Sequence, residues 1–223
     1  MIAPRGVLFD LDGTLVDTAP AIARAVNRVL MERSLPVQPE AVVRGWIGGG
    51  METLLRRSLL ALGLDAGNRE ALAGFVDAFR VHYRECLGEG AAPYPGIPAL
   101  LEHLEQGGVA LGIVTNKPRE FAEPLLRSLD LDIRFRAMVC GDDLPRSKPD
   151  PLPVITVLDR LELRPGEGWL VGDSIADMRA AQAAGIRAVL MAYGYGSDDP
   201  EARSLAAAHA ADVAQLRAVL WAR

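Results

Sequence analysis

Five polar residues each stand just beyond a short apolar run in this sequence. They are Asp10, Asp12, Thr115, Lys148 and Asp173. If the apolar runs are strands of one parallel sheet, these residues lie at the carboxyl ends of the strands, where ligands gather in open α/β sheets. We therefore expect the five side chains to share one site.

The combined chemistry of these side chains suits phosphate. Three carboxylates without partners would repel one another, and a divalent cation removes that conflict. Mg²⁺ is favoured because it takes a few carboxylate oxygens and keeps several waters. Thr115 offers a hydroxyl donor and Lys148 a positive charge, and both can bind phosphate oxygens. The set predicts phosphoryl transfer, in which positioning and charge neutralisation provide most of the catalysis.

The elements that must position these residues alternate between strands and helices, which predicts an α/β fold with a Rossmann-like parallel sheet. Gly and Pro residues separate segments with helical spacing, at 98–106, 119–129, 151–161 and 175–184. The strands are predicted at 6–9, 109–114, 137–140, 168–171 and 188–191, with a short edge strand at 211–213.

A long segment after the first strand interrupts this alternation. From about residue 18 to residue 90 there is no convincing strand, and apolar residues such as Ile22, Val26 and Val29 recur at helical spacing. We interpret this segment as an all-helical cap inserted in the first crossover, with hinges at 15–17 and 91–95. The predicted domains are an α/β core at 1–15 and 93–223 and a helical cap at 16–92.

Composition excludes several classes of function. The chain has 24 basic and 29 acidic residues, a net charge of −5, and no basic block, so no nucleic-acid partner is expected. No apolar run approaches the roughly 20 residues of a membrane helix, so no membrane partner is expected. Cys86 and Cys140 have no spacing typical of a zinc site or disulfide framework. We expect a cytoplasmic protein, monomer or homodimer, that acts on a small phosphorylated metabolite.

Four segments together resemble the motifs of the haloacid dehalogenase superfamily. They run from Asp10 to Thr18, from Val114 to Pro118, from Lys148 to Pro151 and from Gly172 to Asp177. The resemblance covers essentially the whole chain, including the helical cap. Within the superfamily the chain is most similar to bacterial phosphatases that act on 2-phosphoglycolate, and the supporting segments include the cap stretch 43–50.

The resemblance implies a role for each motif residue. Asp10 would attack phosphorus and become an aspartyl phosphate, and Asp12 would act as general acid and then general base. Thr115 and Lys148 would hold the phosphoryl oxygens, and Asn116 would help to bind the substrate. The remaining roles concern the metal: Mg²⁺ would bind the Asp10 carboxylate, the Asp12 backbone carbonyl and the Asp173 carboxylate. Asp177 would act through a water molecule or by orienting neighbouring residues.

Other functions remain open at this stage. Sugar-phosphate phosphatases share much of the pattern, and so do β-phosphoglucomutase-like enzymes, although those carry a basic residue where this cap has Gly48-Gly49-Gly50. A dehalogenase would need neither Asp12 nor a metal, and a binding module would not need every catalytic position filled. For the carboxylate of a phosphoglycolate substrate, Arg44 in the cap is the expected ligand, because guanidinium pairs with carboxylate in a bidentate manner. The equally weighted alternative is that Arg44 is simply solvated.

Overall fold

The computed structural model describes residues 4–221 and contains a six-stranded parallel sheet in the order β5-β4-β1-β6-β7-β8. Its central strands are buried on both faces, which explains their near-continuous apolar sequence. The fold is therefore the predicted α/β architecture. The strands of this sheet are β1 Gly6–Phe9, β4 Ala110–Val114, β5 Ala137–Val139, β6 Gly168–Gly172, β7 Arg187–Met191 and β8 Ala208–Ala210.

Helices cover both faces of the sheet, as right-handed crossovers between parallel strands require. One core cluster includes Val7, Phe9 and Leu101, and another on the opposite face includes Leu8, Val157 and Leu170. The helices of the core are α5 Ile97–Gln106, α6 Arg119–Ser128, α7 Leu152–Arg160, α8 Ile175–Ala183, α9 Pro200–Leu205 and α10 Val213–Leu220, with a 3₁₀ turn at Asp132–Arg134.

Residues 19–86 form four helices, as predicted for the segment 18–90, and pack around an apolar cluster of their own. The longest of these helices has a buried apolar stripe at helical spacing, which includes Leu72, Phe75 and Phe79, and this helix packs on the first helix. Phe121 of α6 joins this cluster from the core side. The cap helices are α1 Ala19–Glu32, α2 Glu40–Arg44, α3 Met51–Ala61 and α4 Arg69–Cys86.

A two-stranded antiparallel ribbon joins the cap to the core. Its strands are β2 Val16–Asp17 and β3 Ala92–Pro93, with Val16 opposite Pro93 and Asp17 opposite Ala92. The predicted domain boundaries stay a prediction, and they lie at the start of β2 and within β3. The two predicted hinges are hydrogen-bonded to each other through this ribbon.

The sequence prediction was wrong about the edge strand. The strand lies at β8, three residues before the predicted 211–213, and Asp212 instead begins α10 by accepting a hydrogen bond from the backbone N–H of Gln215. Alanine has low strand propensity, so the alanine-rich sequence gives no signal for β8, which forms through pairing with β7. None of the helices in residues 4–221 is long and apolar enough to cross a membrane.

Candidate active site

The carboxyl ends of three adjacent strands bring the predicted residues together. Because β1 lies between β4 and β6, Asp10 after β1 stands between Thr115 after β4 and Asp173 at the end of β6. All three side chains are buried. The structure therefore brings these three of the five predicted residues together at one edge of the sheet.

Lys148 enters this group from the loop after β5 and binds two carboxylates. Its Nζ lies 2.9 Å from Asp10 Oδ1 and 2.6 Å from Asp177 Oδ1, and it donates to the carbonyl of Val114 at 2.6 Å. Burial alone would lower the pKa of Lys148, but Asp10 and Asp177 raise it above its ordinary value. The ammonium therefore stays charged beside Asp10.

Asp177 occupies the first turn of α8 and fixes both the helix and the lysine. Its Oδ2 accepts hydrogen bonds from Ser174, at 3.0 Å from the backbone N–H and 2.6 Å from the hydroxyl. This is a capping box, which satisfies N–H groups left free at a helix start. Asp177 thus caps the helix through Oδ2 and positions the ammonium of Lys148 through Oδ1.

Asp173 is held by the loops that surround it. Its Oδ2 accepts from the backbone N–H of Tyr195 at 2.7 Å, and its Oδ1 accepts from the hydroxyl of Thr14 at 3.3 Å. Gly13 passes so close that a β-carbon there would lie 2.5 Å from Asp173 Oδ2, and its φ of +84° favours glycine independently. The backbone of the segment from Asp10 to Thr14 therefore packs directly against the carboxylate of Asp173.

Oxygens of three buried carboxylates, from Asp10, Asp173 and Asp177, lie within 4.8 Å of one another. Burial raises the pKa of Asp10 to about 6 despite the lowering effect of Lys148, and burial together with Asp177 and Asp10 raises the pKa of Asp173 well above its ordinary value. Asp10 Oδ1 is buried without a hydrogen bond, because Lys148 Nζ is close but poorly aligned. Three carboxylates against one ammonium, with one oxygen unsatisfied, fit a divalent cation.

The side chain of Asp12 turns away from this cluster. Its Oδ1 accepts from the hydroxyl of Thr18 at 2.7 Å, and Lys117 Nζ lies 2.8 Å and 3.0 Å from its two oxygens. Lys117 also donates to the hydroxyl of Tyr83, on cap helix α4, at 2.6 Å. Asp12 is thus held by the side chains of Thr18 and Lys117, and Lys117 links it to Tyr83 of the cap.

A small cavity of ≈ 50 Å³ lies between the core and the cap. Asp10, Asp12 and Thr115 line it from the core. The cap contributes an apolar wall that includes Ile22, Ile47, Met51, Leu54 and Phe79, together with Gly48 and Gly50. The cavity suits a substrate of few atoms with its reacting group at Asp10.

The two residues expected to bind substrate differ in their placement. Asn116 lines the cavity and donates to the carbonyl of Lys148 at 2.9 Å, while its buried Oδ1 has no hydrogen bond. Arg44 is not among the described residues that line the cavity. It pairs instead with Asp17 at 2.9 Å and lies over the ring of Tyr195. Its contact with a substrate carboxylate stays a prediction.

The Arg44–Asp17 pair predicts a specific kinetic result. These side chains are 33% and 30% exposed, and ion pairs of that kind contribute at most about 1 kcal/mol. We expect Arg44→Ala and Asp17→Asn each to lower kcat/KM by no more than about fivefold, equally for 2-phosphoglycolate and p-nitrophenyl phosphate. A much larger loss for 2-phosphoglycolate in Arg44→Ala alone would instead assign the substrate carboxylate to Arg44.

Sequence reasoning gave no role to Lys117, Tyr83 or Tyr195. Lys117 carried a usable signal, since it is a cation two residues beyond Thr115 at the same strand end. Tyr195 accepts hydrogen bonds from the backbone N–H groups of Thr18 and Ala19 and donates to Asp17 at 2.7 Å. The two tyrosines reach the site only through contacts between distant segments, for which a sequence offers no periodic pattern.

Comparisons with known proteins agree with this architecture. The sequence model of the family described as haloacid dehalogenase-like hydrolase matches residues 7–191. A phosphoglycolate phosphatase of Yersinia pestis is 40% identical over 202 residues, which cover 91% of this chain and 87% of that protein. One from Pseudomonas putida is 39% identical, over 88% of this chain and 72% of that protein.

A solved structure is similar over nearly the full length. The crystal structure of a predicted phosphoglycolate phosphatase from Haemophilus somnus superposes with a TM-score of 0.87 at 32% identity, covering 96% of this chain and 97% of that chain. The helical cap and the parallel sheet are therefore shared with that protein.

Proposed function

We propose a reaction for this chain, which belongs to the haloacid dehalogenase-like hydrolase family and is a phosphatase: it hydrolyses a small phosphate monoester through an aspartyl phosphate on Asp10. The observation that carries the proposal is that Asp10 and Asp12 line one cavity with Thr115, while Asp10 Oδ1 is buried without a hydrogen bond, 2.9 Å from the ammonium of Lys148. The best candidate substrate is 2-phosphoglycolate, which the names of the curated relatives support.

The first displacement would form a bond between a carboxylate oxygen of Asp10 and phosphorus as the ester bond breaks. The leaving alkoxide takes a proton from Asp12, which has to be protonated at that point. Thr115 donates to a phosphoryl oxygen, and the ammonium of Lys148 offsets negative charge on Asp10 and on the transferring group.

The second displacement would return the enzyme to its starting state. Asp12, now ionised, removes a proton from a water molecule, and the resulting hydroxide attacks phosphorus. The bond to Asp10 breaks, inorganic phosphate leaves, and Asp12 is again protonated. One residue thus serves as acid in the first step and base in the second, which fits its place on the cavity wall.

The metal in this proposal is Mg²⁺, held by the carboxylates of Asp10 and Asp173 and the backbone carbonyl of Asp12. Asp177 is a supporting residue, since its oxygens already bind Ser174 and Lys148. When bound, the cation would neutralise charge on the phosphoryl oxygens. The test is turnover of a panel of phosphate esters by pure protein, with Mg²⁺ and with a chelator. Absence of turnover on every ester in the presence of Mg²⁺ would contradict the proposal.

Metal binding should also appear in stability, without any substrate. The folded-state pKa of Asp10, about 6, and that of Asp173 exceed the ordinary aspartate value, so the metal-free fold holds protons that the unfolded chain has lost. Its free energy of unfolding should therefore fall as pH rises from about 4 through about 6. Above that range a bound cation should restore the loss.

The measurement is the melting temperature with Mg²⁺ and with EDTA. Saturation at about 100 times Kd stabilises by about 2.7 kcal/mol, or roughly 5–10 °C for a protein of this size. We expect this shift at about pH 7.5, a much smaller one at about pH 5, and almost none at either pH in Asp173→Asn. An equal shift at both pH values in the wild type would argue against a cation at the ionised cluster.

A further inference from the structure

The chain contains two lysines, Lys117 and Lys148, beside 22 arginines. Both lysines are buried in the candidate active site, with residue exposures of 5% and 4%. Arginine therefore supplies the positive charge everywhere else, and the compact ammonium is used at these two positions alone. Lys148 pairs with Asp10 and Asp177, whereas Lys117 pairs with Asp12 and has no contact with the phosphoryl group in the proposed steps.

Lys117 is placed where the leaving group must lie. A general acid has to come within about 2.6–3.2 Å of the atom that it protonates, so the ester oxygen sits against Asp12. The Nζ of Lys117 is 2.8 Å and 3.0 Å from the same carboxylate. The ester oxygen and the ammonium are therefore neighbours of one side chain, and a group two bonds from that oxygen comes within reach of Nζ.

The surroundings make this ammonium an anion-binding group. Among the described residues that line the cavity, Lys117 is the only one with a positive charge. The cap wall beside it is apolar, which reduces the screening of its charge. Its other partner, Tyr83, remains a neutral hydroxyl, because burial raises the pKa of Tyr83 to about 12. The tyrosine fixes the ammonium without neutralising it.

We propose that Lys117 determines specificity by binding an anionic group two bonds from the ester oxygen of the substrate, while Tyr83 positions its ammonium from the cap. This inference rests on the proposed function and narrows it to phosphate esters of small 2-hydroxy acids. The three N–H donors of Lys117 now reach the two oxygens of Asp12 and the hydroxyl of Tyr83, and the substrate carboxylate would take the donor that reaches Asp12 Oδ2 at 3.0 Å, so that one donor stays on each partner. The phosphoryl group remains with Asp10, Thr115 and Lys148.

The kinetic test compares 2-phosphoglycolate with 2-hydroxyethyl phosphate, in which an uncharged CH₂OH replaces the carboxylate. A hydrogen bond to a charged group corresponds to a preference of about 10- to 150-fold in kcat/KM. We expect wild-type enzyme to show that preference, Lys117→Met to lose most of it and Lys117→Arg to retain part. Tyr83→Phe should reduce the preference by raising KM for 2-phosphoglycolate more than KM for the uncharged ester, with the same effect on kcat for both esters.

Two outcomes separate the failures. Turnover of no ester in the panel by the wild type would reject the proposed function itself. Turnover of other esters but of neither of these two, turnover of both with equal efficiency, or a preference that survives in Lys117→Met, would reject the role of Lys117 while the phosphatase stands.

A second measurement follows binding to the wild type and needs no catalysis. Protein labelled with ¹³C at the lysine ε-carbons gives two side-chain NMR signals, because the chain has two lysines. We expect glycolate to shift one of them, assigned to Lys117 by its absence in Lys117→Arg, and ethylene glycol at the same concentration to shift neither. No shift of the Lys117 signal at saturating glycolate would overturn the proposal.

Discussion

Asp10→Asn should abolish turnover of every phosphate ester, by more than about 10⁴-fold in kcat, because the amide cannot form the acyl phosphate bond. The variant should stay folded. Burial makes the ionised Asp10 carboxylate unfavourable, and Lys148 keeps its contact with Asp177 when Asp10 is replaced. In the absence of metal, the melting temperature should match or exceed that of the wild type.

A matched control separates loss of the nucleophile from the effect of any Asp→Asn change. Asp198 has a side chain that is 99% exposed, so Asp198→Asn should keep wild-type kinetics and stability. Steady-state kinetics and rapid-quench trapping of phosphorylated protein are the measurements. Phosphorylation of a folded Asp10→Asn variant, or turnover above a small fraction of wild type, would remove Asp10 from the covalent step.

Asp12→Asn should slow both displacements by about 10²–10⁴-fold, the usual contribution of general acid–base catalysis. The loss in the first displacement should depend on the leaving group. p-Nitrophenolate hardly needs a proton to depart, whereas the alkoxide of an alkyl ester does. Single-turnover phosphorylation by p-nitrophenyl phosphate should therefore suffer least, while dephosphorylation, which is common to both esters, is slow in each case.

Thr18→Val is the control, because it changes the contacts that position Asp12 and leaves a carboxyl group that can still transfer a proton. It removes the hydroxyl that donates to Asp12 at 2.7 Å and leaves the carboxylate in place. We expect a smaller loss in this variant, equal for the two esters. If Asp12→Asn likewise damaged phosphorylation by activated and unactivated esters to the same degree, Asp12 would position the site rather than protonate the leaving group.

The core of the site could be predicted because strand ends are marked in the sequence. Asp10, Thr115 and Asp173 each follow a buried apolar run, and the order of a parallel sheet brings such ends together. The same reasoning located the helical cap, since residues 18–90 have helical periodicity without a strand. In both cases a local pattern was sufficient.

The rest depended on contacts that no local pattern encodes. Tyr83 meets Lys117 across 34 positions of sequence, and Arg44 meets Asp17 across 27. Arg44 was predicted to bind substrate because it lies near the cap loop. Its partner in the structure is Asp17, and nothing in the sequence marks Asp17 as a partner of Arg44. The edge strand β8 was misplaced because pairing with β7, rather than residue propensity, determines where it forms.

The β2–β3 ribbon also makes the cap an exchangeable module. The chain leaves the core at Val16–Asp17 and re-enters it at Ala92–Pro93, and these residues face each other in antiparallel register. A tight turn after Asp17 would close the ribbon as a hairpin, and the order of the sheet would be unchanged. Phe121, which packs into the cap cluster, and Tyr195, which packs against it, would lose apolar neighbours. Insertions of very different length and shape can therefore be accommodated at this point of the fold, and substrate preference can diverge there while the phosphoryl-transfer residues stay in place.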